Sequence, residues 1–158
     1  MKTRIFRCAS LFLLILLSAC QFNSTYSNRE EDKAEAEAVV EDFYAALRTK
    51  DYEKTVPFLS ESFLEVSNKA DLFQFYAKND EVLGEIENYT LRDWKSNVVM
   101  GTNPRSEYLL VYDVKRPNYD SEEIFTLTKI DDKVQILGYR VNSPDYESTR
   151  SRSAKPLQ

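Results

Sequence analysis

The chain predicts an α+β fold: three N-terminal helices packed on a curved four-stranded antiparallel sheet. Three observations predict it. From Glu30 to Leu83 apolar residues recur at helical spacing. After Gly84 the period changes to two. The connections between the alternating stretches are short and carry turn residues, which joins neighbouring strands antiparallel. Helices first and strands afterwards is the order of α+β domains, with the helices collected on one face of the sheet.

The first helix spans residues 30–50. Ala36, Val40, Phe43 and Leu47 recur at i, i+4, i+7 and i+11, and Val39 widens the stripe. Glu30, Glu31, Asp32, Glu35 and Glu37 crowd its N-terminal half, where the helix dipole favours anions. This acidic run therefore reads as helix stability and solubility rather than a ligand site, and Glu41 and Asp42 read as surface charges. A second, short helix spans 51–59, capped by Asp51, with Tyr52, Val56 and Leu59 on its apolar face. Pro57 lacks an N–H and bends or shortens it. Residues 63–66 are expected as a short strand. A third helix, capped by Ser67 or Asn68, buries Leu72, Phe73, Tyr76 and Val82 or Leu83, and stops at Gly84.

The strands follow at 85–100, 107–116, 122–130 and 133–142. Turn residues at 101–104, 117–120 and 131–132 connect them. Tyr108, Leu110, Tyr112 and Val114 share a face, as do Phe125 with Leu127 and Val134 with Ile136. A curled sheet of this kind leaves a concave space beside the helices. Residues 21–29 are polar and aperiodic and read as a flexible tether. The polar stretch 144–158 reads as a disordered tail.

Composition removes several chemistries. The chain has no His, and its two cysteines, Cys8 and Cys20, both lie in the leader region. Tetrahedral zinc, imidazole-ligated metals and His-dependent nucleophilic catalysis therefore lack their residues. Acids at 120–123 and 131–132 lack the spacing of a calcium loop, and only 3 Gly leave no phosphate-cradling loop. No metal and no cofactor is expected. The formal charge of −5 argues against a nucleic-acid footprint.

The N-terminus has the three parts of an export signal: basic residues to Arg7, an apolar run at 8–17, then small Ser18 and Ala19. The run is too short to span a bilayer comfortably. Leu17-Ser18-Ala19-Cys20 resembles the lipobox of bacterial lipoproteins. That resemblance implies cleavage between Ala19 and Cys20, a signal peptide of residues 1–19, and lipid on the Cys20 sulfur. An ordinary secretory signal with a chance cysteine is the competing reading. Two or three acyl chains hold a protein firmly where one does not. Loss of Lys2, Arg4 and Arg7 with the leader takes the formal charge from −5 to −8, so electrostatics would not hold this chain on anionic lipid. Gln21 follows the cysteine, which in enteric-type Gram-negative bacteria implies the outer membrane rather than the cell membrane.

The stretch Val39-Val40-Glu41-Asp42-Phe43-Tyr44-Ala45-Ala46-Leu47-Arg48-Thr49-Lys50-Asp51 is similar to the first helix and turn of nuclear-transport-factor-2-like domains, also called cystatin-like or ketosteroid-isomerase-like. Residues 52–66 fit that family's second helix and first short strand. Residues 133–143 resemble the closing strand of small envelope lipoproteins of this build. The resemblance covers residues 30–143 and implies a cone-shaped fold, while the fold itself hosts many unrelated functions.

Function is read from the site. An isomerase-like enzyme needs a carboxylate base and a phenol donor. The family's helix-one tyrosine aligns with Phe43, which has no O–H, and Tyr44, ~100° further round the helix, points elsewhere. The chain is therefore not expected to be an enzyme. Candidate pocket residues are Phe43, Tyr76, Trp94, Tyr108, Tyr112 and Tyr139, with Arg140 or Arg92 as an anion contact; the competing reading makes these aromatics plain core. The expectation is a non-enzymatic envelope lipoprotein, on the membrane through its covalent lipid. It binds a small apolar or amphipathic ligand, or a partner protein, at the cone mouth or the exposed sheet face. An adaptor without a pocket is the alternative.

Overall fold

The computed structural model describes residues 24–147 apart from Asn103. The leader 1–19, Ala19, Cys20 and the tail beyond residue 147 lie outside the described residues. Helices and antiparallel strands combine as expected of an α+β chain, but the open sheet has five strands rather than four, in the order β1-β2-β3-β4-β5, and its first strand precedes the helices. The strands are β1 (Ser24–Ser27), β2 (Asn88–Met100), β3 (Arg105–Lys115), β4 (Ser121–Ile130) and β5 (Lys133–Asn142).

Helix α1 (Glu30–Arg48) buries Ala36, Val40, Phe43 and Leu47, the predicted stripe. It also buries Asp32, whose carboxylate accepts from the Arg29 guanidinium at 2.6 and 2.9 Å and from Ser96 Oγ at 3.3 Å. One member of the acidic run therefore pins the helix start to β2. Residues 52–58 form a 3-10 segment rather than an α-helix, and Asp51 makes no side-chain cap. Pro57 lies inside that segment, and its missing N–H is compatible with a short, tight turn.

The expected strand at 63–66 is instead part of helix α2 (Glu61–Val66). Ser60 decides this locally: its Oγ accepts from the Phe63 N–H at 3.1 Å, an N-cap that starts a helix. Helix α3 (Lys69–Leu83) begins at Asn68, whose Oδ1 accepts from the Asp71 N–H at 2.9 Å. It ends at Gly84, φ +93°, where a Cβ would sit 2.6 Å from Pro117 Cδ. Only glycine fits both conditions.

The expected tether contains β1, which pairs antiparallel with the far end of β2, from Ser24 opposite Met100 to Ser27 opposite Asn97. Four polar residues give little alternation to read, and the strand forms because an existing edge templates it. Ser143 is buried and residues 144–147 form one helical turn, so the start of the expected tail belongs to the fold. Asp131 and Asp132 both take positive φ, the geometry of a tight two-residue hairpin.

Two bulges curve the sheet. Leu91 pairs with Tyr112 and Asp93 with Val111, which leaves Arg92 extra. Leu127 pairs with Ile136 and Thr126 with Gly138, which leaves Leu137 extra. Each extra residue inverts the strand's inward phase beyond it. Thus Val134 and Ile136 face the helices, as expected, and after the bulge Tyr139 does so in place of Gly138 and Arg140. The core lies between α1, α3 and the faces bearing Tyr108, Leu110, Tyr112, Val114, Phe125 and Leu127.

Candidate functional site

Between the helices and the sheet lies a charged node. Along β4 the inward phase reads Ser121, Glu123, Phe125, Leu127, so alternation drives a carboxylate into the core. Glu123 is fully buried. Its Oε1 accepts from Arg116 Nη2 at 2.8 Å and from Ser121 Oγ at 3.1 Å. Its Oε2 accepts from the Tyr139 hydroxyl at 2.5 Å and from the Tyr44 hydroxyl at 3.1 Å. An ionised carboxylate offers about four acceptor positions, and these four donors fill them.

Arg116, at the end of β3, donates its Nη1 to the Gly84 carbonyl at 2.7 Å and lies 3.5 Å from Asp80 Oδ1. Burial opposes its charge, but Glu123 outweighs that and holds the guanidinium protonated. Burial, reinforced by the Glu123 charge, pushes the Tyr44 and Tyr139 phenols far above their ordinary range. Burial also raises Asp80, with Arg116 pulling against it. A void of about 10 Å³ adjoins this node, lined by Tyr76, Asn79, Asp80 and Arg116. Asn79 Nδ2 and Arg116 Nε border it without a hydrogen-bond partner among the described residues. That volume suits one water. Substrate pockets run to ~300–1,000 Å³, so there is no room beside Glu123 or Asp80 for a small-molecule substrate.

The predicted site residues divide. Phe43, Tyr76, Tyr112 and Tyr139 do come together, joined by Phe125 and Tyr44, but as filling. Phe43 is fully buried, with edge-on contacts to Tyr76, Phe125 and Tyr139 at 5.3–5.9 Å. Tyr112 packs edge-on against Tyr44, Tyr89 and Phe125. Trp94, on β2, packs half-buried against the core beneath the Lys33 ammonium, which lies 5.6 Å from its ring centre. Tyr108 borders two surface grooves. Arg140 is exposed, because the Leu137 bulge turns Tyr139 inward instead. Arg92 is exposed too, paired with Asp113 and Glu122 across the outer face.

Tyr44 and Phe43 are both fully buried and face different neighbours, Phe43 towards Tyr76 and Tyr139 and Tyr44 towards Tyr89, Tyr112 and Glu123. Sequence reading missed Tyr44, Arg116 and Glu123 as partners. A signal existed: Arg116 and Glu123 are opposite charges on the apolar phases of consecutive strands, beside their shared turn.

With the interior filled, space lies at the surface. A groove of about 660 Å³ runs between the first turns of α1 and the β2–β3 and β4–β5 hairpin tips. A second, about 570 Å³, lies on the outer sheet face across Lys95, Leu109, Thr126 and Leu137. A third, about 450 Å³, separates β5 from α2 and α3, bordered by Phe63, Val66, Phe75 and Leu137. Leu137, 42% exposed, joins the second and third. Among the described residues no three acids or other ligand side chains are placed to hold a metal, and no helix is long and apolar enough to cross a membrane. No protein-family model matches the chain, and no curated protein matches it.

Proposed function

We propose that this chain is an exported, lipid-anchored protein whose cystatin-like (nuclear-transport-factor-2-like) domain is a non-enzymatic adaptor, docking a partner protein around Leu137. One observation carries the reading. The aromatic residues that would line a ligand cavity fill it instead, while the bulge at Leu137 projects an apolar side chain where two grooves meet. Apolar exposure of this kind, continued by Val66 at 83%, is a feature of interaction surfaces. The lipobox-like segment supports the anchor. The meander of strands curved by two bulges, with helices on its inner face, supports the cystatin-like cone.

The test replaces Leu137 with a photo-cross-linking residue in the full chain in its own envelope, with Lys78 on the exposed side of α3 as the comparison site. A discrete protein adduct at 137 and none at 78 is expected. If neither position captures a protein and an apolar small molecule co-purifies with the chain, the ligand-binding reading replaces this one.

A further inference from the structure

The expected tether is shorter than it looks in sequence. Residues up to 29 read as flexible linker, yet β1 is already paired with β2 at Ser24. Only four Cα–Cα steps then separate Ser24 from Cys20, a reach of at most ~14 Å however the segment runs. Ser24 stands opposite Met100, at the end of the sheet where the β2–β3 and β4–β5 hairpins turn. On the lipid-anchored reading, on which this inference rests, that end is held at the bilayer surface.

Its side chains suit that position. Met100 is 54% exposed and Ile130 46%, and both border the 660 Å³ groove. Each therefore leaves about half of an apolar side chain open to solvent at one of two neighbouring hairpin tips. The surrounding charges are of both signs, Arg29, Arg105 and Lys129 against Glu31, Asp32, Glu35, Asp131 and Asp132, with acids in excess. That mixture gives no net pull on anionic lipid. It does match a zwitterionic headgroup, which presents a phosphate and an ammonium side by side.

The opposite end of the sheet is far away. From Asn88 to Met100 is twelve steps along β2, up to ~40 Å at strand rise. Lys115 pairs with Asn88 and marks that end.

We propose that the domain rests on phospholipid headgroups through Met100 and Ile130, with the sheet standing up from the bilayer. The groove then opens at the lipid surface, and the Leu137 face stays clear of it on the side. Two partly exposed side chains bind lipid weakly in free solution. A tether of four Cα–Cα steps makes the contact intramolecular, at an effective concentration near the millimolar range. The same domain without its acyl chains is therefore not expected to adsorb to vesicles.

The test uses the mature lipidated chain in vesicles of phosphatidylethanolamine and phosphatidylglycerol that carry a headgroup-bound nitroxide. A fluorophore is attached in turn through Met100→Cys, Ile130→Cys and Lys115→Cys, and mass spectrometry reports whether Cys20 is lipidated. Quenching is expected to be several-fold stronger at 100 and 130 than at 115. Adding Met100→Ser to the 130-labelled protein is expected to lower quenching at 130, since the remaining native anchor is then lost and the fold is not. Lipid on Cys20 with equal quenching at 100 and 115, or more at 115, overturns this inference and leaves the anchor standing. An unmodified Cys20 overturns both.

Discussion

Replacing Arg116 with Met removes a guanidinium and keeps most of the side chain's volume. Arg116 is 2% exposed at its side chain and Glu123 is fully buried, so solvent cannot take over when the pair is broken. Glu123 would keep three hydroxyl donors, from Ser121, Tyr139 and Tyr44, and lose its only counter-charge among the described residues. The Gly84 carbonyl would lose its 2.7 Å donor as well. Removing one partner of a buried ion pair costs ~3–5 kcal/mol. For a domain of this size that lowers the melting temperature by ~10–20 °C.

The diagnostic comparison is with Glu123→Gln in the same protein. If the cost of Arg116→Met is the burial of an unpaired charge, removing that charge recovers part of it. The double variant is then more stable than Arg116→Met alone, with a coupling of ~1–3 kcal/mol. Urea unfolding followed by circular dichroism measures all four proteins, and an unchanged m-value certifies that midpoint shifts are stability shifts. Additive costs, with the double variant the least stable of the four, would refute the account of Glu123 as a charge held by Arg116.

Burial raises the phenols of Tyr44, Tyr76, Tyr112 and Tyr139 above their unfolded value of ~10. The folded state therefore holds the protonated form, so the stability tied to these groups is complete below pH ~10 and is lost as pH rises beyond it. Alkaline titration should show tyrosinate absorbance rising in a cooperative step that coincides with loss of circular dichroism; gradual titration of all ten tyrosines in an intact fold would contradict it. Gly84→Ala places a Cβ 2.6 Å from Pro117 Cδ at φ +93°, and should cost ~1–3 kcal/mol in the same urea assay. Cys20→Ser should abolish lipid labelling and the mature-size band; a variant still cut at the same place, beside a wild type without lipid, would refute the anchor.

Much of the helical part was legible because its signals are local. The stripe of Ala36, Val40, Phe43 and Leu47, the Asn68 cap and the Gly84 stop each depend on residues within one or two turns. Even residues 63–66, expected as a strand, carried a local cue to their helix, the Ser60 cap. The alternation of Tyr108, Leu110, Tyr112 and Val114 likewise named the buried face of β3, because side chains on a strand have no other period. The lipobox-like segment is a linear motif, and no fold is needed to see it.

What the sequence could not decide depended on where one strand met another. The Leu137 bulge is a mismatch of register between β4 and β5. It alone determines that Tyr139 reaches Glu123 while Arg140 faces out. Strand β1 has no pattern of its own and exists because the edge of β2 is there to be paired. Most of all, the same aromatic residues could line a cavity or fill it. Composition counts rings; only the tertiary packing, closing on Phe43 from three sides and turning the Tyr44 and Tyr139 phenols onto a buried carboxylate, decided that these aromatics fill the interior.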